Sequence, residues 1–187
     1  MKAIIPAAGY AERMYPLTLN TPKGLLFING KPMISHIIEK IVKIKDVDEI
    51  VIVTNNLFYF QFLEWKKNFV CGVPIVISND KTNNSGERLG AIGDLNFVLE
   101  QKQIDGDIIM VNSDNLFSFD LTEMRKDFTK KQHVIGLYDS KDLAIARQMG
   151  SPKIDEGGRV IFFKEKDRNA SSTLISIGIY FFSNARK

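Results

Sequence analysis

The chain has 187 residues, 44% of them hydrophobic and 25% charged, a length that suits one domain with a sizeable core and a composition that excludes a disordered or fibrous protein. Its formal net charge of +3 is too weak and too evenly spread to mark a nucleic-acid or membrane footprint. The lone cysteine, Cys71, leaves no disulfide and no zinc cluster, and no run approaches the roughly 20 apolar residues of a membrane span, so a reducing, cytoplasmic setting is expected.

Residues 2–8, KAIIPAA, form a short apolar run without alternation, which predicts a strand buried on both faces, although Pro6 lacks the N–H a central strand uses. A loop follows, AAGYAERMYPLTLNTPK over residues 7–23, with no hydrophobic period. Residues 25–28 lead into Asn29-Gly30, a strong turn signal, and Pro32 sits where a first helical turn tolerates it. Ile34, Ile37, Ile38, Ile41 and Val42 then recur at helical spacing.

Residues 49–54, EIVIVT, predict a second buried strand. Residues 58–69 predict a helix with its aromatics inward, and residues 73–78, VPIVIS, a third strand. Leu89, Ile92, Leu95 and Leu99 mark a further helix. Residues 107–112, DIIMVN, give a fourth strand that runs into Ser113-Asp114. Asp120 with Glu123 has the spacing of a capping box ahead of Leu121, Met124 and Phe128.

Beyond residue 133 the pattern changes to HVIGLYD, GRVIFFKE and TLISIGIYFF, strand-like segments with a short helical stretch at 142–149, which predicts an antiparallel or mixed extension. Alternation of strands and helices before that point predicts an α/β layer fold with a largely parallel sheet. No repeat or Pro/Gly/Ser-rich linker divides the chain, so a single domain over 1–187 is expected, folding alone or as a homo-oligomer.

In such a sheet ligands bind at the carboxyl ends of the strands, which makes the loop after the first strand the place to look. Gly9 permits close backbone approach, free N–H groups in a turn can nest phosphate oxygens, and Arg13 and Lys23 add cations. The loop is neither GxxxxGK[ST] nor GxGxxG, and by itself it also fits a surface loop with solvated cations. His36 and His133 have no partner pattern and read as structural or exposed.

The whole pattern AAGxxxRMxPLTxxxPK resembles the signature of the sugar-phosphate nucleotidylyltransferases, the NDP-sugar pyrophosphorylases. The likeness continues in order through FINGKPMI, RLGAIGDL, VNSDN, FKEK and STLISIGIYFF, and is nearest to the glucose-1-phosphate thymidylyltransferase-like branch. It implies a Rossmann-like three-layer α/β/α fold with a mostly parallel, mixed central sheet. It implies nucleotidyl transfer from a nucleoside triphosphate, dTTP or UTP, to a sugar 1-phosphate such as glucose 1-phosphate, with Mg²⁺.

On the same resemblance Arg13 contacts the triphosphate and the departing pyrophosphate, and Lys23 lies at the phosphates. Ala8 and Gly9 are backbone positions near the nucleotide, and Leu89 and Gly90 pack against the base. Asp114 holds Mg²⁺, although an Asp after a strand is also a common helix cap. Gly150 lines the sugar pocket, and Glu165 and Lys166 hold the sugar and its phosphate, although such a pair can also be merely solvated.

Two departures stand out. Ala11 and Glu12 replace the second glycine and the threonine of the signature, which narrows the backbone options and brings a negative charge toward the triphosphate. Members of the family also run on to supply a second metal-binding aspartate, so the C-terminal part of the family domain is expected to be missing. Two other readings stay open: a non-catalytic subunit that binds NDP-sugar, and a cytidylyltransferase for an alcohol phosphate such as phosphocholine.

Overall fold

The computed structural model describes residues 1–130 and 132–185. They form two compact units: Met1–Val134 with Tyr180–Lys187, and Ile135–Ile179.

The first unit is built on β1 (Lys2–Pro6). A hairpin of β2 (Phe27–Ile28) and β3 (Lys31–Pro32) follows, then α1 (Met33–Ile41), β4 (Glu49–Thr54), α2 (Tyr59–Lys67), β5 (Ile75–Asn79), α3 (Gly90–Gln101), β6 (Ile108–Val111) and α4 (Leu121–Phe128). β1 lies between β4 and β6 and is parallel to both, and β5 adds parallel to β4. The sheet order is β5-β4-β1-β6 and continues with β10 (Leu174–Phe182) and β7 (His133–Asp139), the two strands whose residues run from the first unit into the second.

Ala3, Ile4, Ile5 and Ile50 through Val53 are all fully buried. Successive strand residues point to opposite faces, so burial of every one means that the sheet is covered on both sides, as a three-layer α/β/α arrangement requires. Ile4, Val51, Val53 and Ile108 meet Val98 and Leu99 of α3 in one cluster. Pro6 closes β1 without damage: pairing with β6 runs only through Ile4, so its absent N–H falls past the ladder, while its carbonyl accepts from Ser113 N at 3.2 Å.

Local chemistry explains the turns. Asn29 and Gly30 carry φ of 50° and 84°, the left-handed pair that the β2–β3 hairpin turn demands. The expected capping box at α4 is only half made. Asp120 accepts from Thr122 N at 3.0 Å, but Glu123 pairs with Lys126 at 2.7 Å instead of reaching back.

Two helix faces differ from the sequence expectation. In α2 and its cap only Phe58 and Phe62 are buried, while Phe60 is 76% exposed, because the i, i+4 pair alone faces the sheet. In α3 and its cap Leu89 and Ile92 are exposed, and Asp94 takes the buried position in line with Val98.

In the second unit α5 is a single turn (Leu143–Ala146) capped by Asp142, shorter than expected. β8 (Gly150–Ile154) pairs antiparallel with β9 (Val160–Glu165), in keeping with the antiparallel extension; β8, whose interior holds Pro152, was not legible in the sequence. His36 bonds the Ile28 carbonyl through Nε2 at 2.8 Å, a structural role, and His133 is exposed at the start of β7. Among the described residues no helix is long and apolar enough to cross a membrane.

Phe62 fills the space between α2 and the signature loop, where a Cβ on Gly24 would lie 3.7 Å from its ring. Phe62→Ala is expected to cost about 3–5 kcal/mol, read as a fall in the urea midpoint at unchanged slope.

Candidate active site

From β1 the chain proceeds to β4 and β5 on one side, then crosses back to β6 on the other. That reversal opens a crevice at the carboxyl ends of β1 and β6, the position where open α/β sheets bind ligands. A cleft of about 540 Å³ lies there. A second hollow, of about 520 Å³ along α1 and lined by His36, Lys40, Lys43 and Phe117, shares no lining residue with it.

The signature loop is held from behind. Asn55, fully buried at the end of β4, donates to the Ala8 carbonyl at 2.9 Å and accepts from Phe58 N at 3.0 Å. Thr18, also buried, donates through Oγ1 to the Ala11 carbonyl at 2.8 Å. Gly24 packs its backbone against Ser113, since an added Cβ would sit 3.4 Å from Ser113 Cβ. This close approach sets Lys23, at the head of a 3-10 turn, beside the tip of β6. Its Nζ donates to Asp114 Oδ2 at 2.8 Å.

Ala8, Gly9, Arg13, Lys23, Leu89, Gly90 and Asp114 all line this one cleft, although they come from three separate stretches of sequence. Gly9 and Gly90 face open space, and Gly90, with φ of 75°, starts α3 in a conformation that suits glycine. Arg13 makes no ion pair among the described residues, so its guanidinium is available to an anion.

Both substitutions in the signature are accommodated locally. Ala11 sits at φ 48°, ψ 37°, a left-handed position where glycine would be unstrained. Glu12 is exposed and absent from the cleft wall, although Ala11 and Arg13 on either side belong to it, so its charge points away.

Three residues of the wall carry chemistry that the sequence did not single out: Arg88, Asp94 and Asn112. Arg88 directly precedes Leu89-Gly90 and has no ion pair among the described residues. Asp94 is 4% exposed and Asp80, just past β5, 7%. Burial, then the neighbouring charge of Asp80, pushes Asp94 up to about 7, and burial raises Asp80 as well. The available signal was Asp94 itself, an acid in step with Val98 on a helix face that must be buried.

The second unit places Gly150 opposite Glu165 in the β8–β9 pair. A Cβ on Gly150 would fall 2.9 Å from Glu165 Oε1 and 2.6 Å from the Phe163 ring, so only glycine fits beside that carboxylate. Lys166 follows at φ 50°, its backbone N donating to the Met149 carbonyl at 2.9 Å. These three predicted residues therefore lie together.

A largely parallel sheet with a cleft at its switch point, walled in part by Arg13, Lys23 and Arg88, defines an α/β protein with an open site at the carboxyl ends of its strands. The family is given by comparison. Residues 2–185 match the nucleotidyl transferase family, and the chain belongs to it.

It is 32% identical over 183 residues to the bifunctional protein GlmU of Methanocaldococcus jannaschii, covering 97% of this chain and 40% of that protein. It is 25% identical to the UTP–glucose-1-phosphate uridylyltransferase AglF of Haloferax volcanii, covering 99% of this chain and 73% of AglF. A crystal structure from Bacillus anthracis, provisionally named a glucose-1-phosphate thymidylyltransferase and bound to sucrose, superposes with a TM-score of 0.83 at 25% identity over 98% of this chain and 72% of that one. The chain thus spans well under half the length of its archaeal GlmU relatives.

Replacing Ala11 by glycine removes the left-handed strain and loses part of the gain to chain entropy. Ala11→Gly is expected to stabilise the protein by about 0.5–1 kcal/mol, seen as a higher melting temperature.

Proposed function

We propose that this chain transfers a nucleotidyl group from a nucleoside triphosphate, dTTP or UTP, to a sugar 1-phosphate, with glucose 1-phosphate the favoured acceptor. The observation that supports this most is the convergence of Arg13, Lys23, Asp114 and the Leu89–Gly90 segment on one cleft at the switch point of the sheet. Relatives named as uridylyltransferase and as mannose-1-phosphate guanylyltransferase support the reaction class and leave base and sugar to experiment.

In this reaction a phosphate oxygen of the sugar 1-phosphate forms a bond to the α-phosphorus. The bond from that phosphorus to the bridging oxygen breaks, and pyrophosphate leaves with the electron pair. Both reactants are polyanions, so positioning and fixed positive charge supply most of the catalysis. Arg13 can clamp the phosphate tail with its planar fork, while Lys23 offsets charge at the reacting group as a compact cation. Leu89 and Gly90 offer an apolar surface and main-chain groups to the base. In the second unit, Gly150, Glu165 and Lys166 are assigned to the sugar and its phosphate.

The donor set fits Mg²⁺. No group of three or more His, Cys, Asp or Glu side chains that could hold a metal occurs among the described residues, and the cleft offers the single exposed carboxylate of Asp114. Mg²⁺ is commonly held by one or two carboxylates together with substrate phosphates and water. When bound it would neutralise charge on the phosphate oxygens. Asp114 would hold it, releasing Lys23 toward the substrate.

The test is incubation with each nucleoside triphosphate, several sugar 1-phosphates or phosphocholine, Mg²⁺ and pyrophosphatase, following phosphate release. Turnover with dTTP or UTP and glucose 1-phosphate is the expected result. Turnover confined to CTP and phosphocholine would replace this reading. Silence throughout, with an NDP-sugar raising the melting temperature, would make the protein a binding subunit.

Lys23→Ala and Asp114→Ala should each reduce turnover at least about 100-fold with the fold intact, since a half-exposed ion pair is worth only about 0–1 kcal/mol. Arg13→Lys should also impair the reaction, because one ammonium cannot make a two-point contact; unchanged kcat/KM would show that it makes none.

A further inference from the structure

We propose that Asp94 is a positioning residue for the nucleotide: its carboxyl shares one proton with Asp80 and, through Thr82 and Tyr10, ties the start of α3 to the signature loop. This rests on the cleft being the nucleotide site and adds a pH dependence to it.

The geometry is a continuous chain. Tyr10, buried in the signature loop directly after Gly9, has its hydroxyl 3.2 Å from Thr82 Oγ1. Thr82 donates twice to Asp80 Oδ1, through Oγ1 at 2.9 Å and its backbone N at 2.8 Å. The charge of Asp80 reaches Asp94 and adds to the effect of its burial. Asp80 Oδ2 and Asp94 Oδ1 are both buried and neither has a donor from any other group.

Two bare carboxylates close together, shielded from water, would repel strongly. One proton between them converts that repulsion into a charge-assisted hydrogen bond, which is how closely spaced acid pairs behave. Asp94 also lines the cleft four residues into the helix that begins at Gly90. Helical side chains lean toward the N-terminus, so its carboxyl supports the segment assigned to the base.

Other charged and titratable groups act on Tyr10 at the far end of the chain or share the cleft wall with Asp94. Tyr10 and Arg13 belong to the loop, Glu87 and Arg88 to the stretch before α3, and Lys23 and Asp114 to the cleft floor. Tyr10 titrates higher than usual, because of its burial and then, after the lowering bond to Thr82, the charges of Asp80 and Glu87, so it stays neutral near pH 7. The change near neutrality is therefore on the acid pair. Loss of its proton adds a negative charge to a wall facing phosphates and forces the two carboxylates apart, loosening α3 and the loop together.

The sign for stability follows. Asp94 is raised from 3.8 to about 7, so between those values the folded chain keeps a proton that the unfolded chain has released. Stability from this group is present at low pH, is withdrawn as pH rises through that window, and is gone above about 7.

The experiment measures binding of UDP-glucose and dTDP-glucose with Mg²⁺ from pH 6 to 8.5; the diphosphate of these ligands is a diester and does not titrate in this range. Wild-type affinity for the better ligand should fall about tenfold, the change expected for a one-unit coupling. Asp94→Asn imitates the protonated acid. It should bind within about threefold of wild type at pH 6 and stay flat with pH.

In parallel, thermal unfolding of the free proteins from pH 4 to 7.5 should show a decline in the wild type that Asp94→Asn lacks. Asp80→Asn, the matching change across the shared proton, should do the same and serves if Asp94→Asn fails to fold. Flat wild-type binding, or equal pH dependence in wild type and variants, overturns the proposal while leaving the nucleotide site standing. No binding of either ligand at pH 6 overturns the nucleotide reading itself and this inference with it.

Discussion

The position of β1 between two parallel partners is the constraint on which the rest depends. Parallel pairing with β4 and β6 brings three carboxyl ends to one edge of the sheet, and the Pro6 carbonyl receives Ser113 N there. From that edge β1 releases the signature loop, β4 releases Asn55 to pin it, and β6 releases Asp114. Burial of β1 and β4 on both faces makes this arrangement costly to distort, because every residue of their centre would lose apolar contact.

Around that rim the charges are unevenly engaged. Lys23 and Asp114 neutralise one another at 2.8 Å, while Arg13 and Arg88 have no acidic partner among the described residues. The resting cleft is therefore net attractive to phosphate without presenting a bare carboxylate. When Mg²⁺ is bound, Asp114 would hold it, and Lys23 would be free to offset phosphate charge. The buried acid pair behind the wall extends this balance, since its single shared proton sets how much negative charge the wall holds.

The tolerated departures from the signature follow from the same frame. Ala11 occupies a left-handed position at a modest cost, and Thr18 secures its carbonyl. Glu12 points outward from a 3-10 turn whose direction is fixed on both sides by cleft residues. Neither change reaches the groups that would touch phosphate.

The order of strands and helices, the hairpin at Asn29-Gly30 and the identity of Arg13, Lys23 and Asp114 as candidates were legible in the sequence, because hydrophobic period, turn chemistry and an ordered set of motifs are local properties of the chain. Which face of α3 turns inward was not. Leu89 and Ile92 continue an apolar period, yet Asp94 is buried in their place, because the helix packs Val98 and Leu99 on β1 and β4. The Tyr10–Thr82–Asp80–Asp94 chain and the proton it shares exist only once segments some 70 to 80 residues apart come together. The sequence thus determined the chain's elements and its signature; the sheet's reversal at β1 decided which charged groups face one another, because long-range distance, not residue type, sets their interaction.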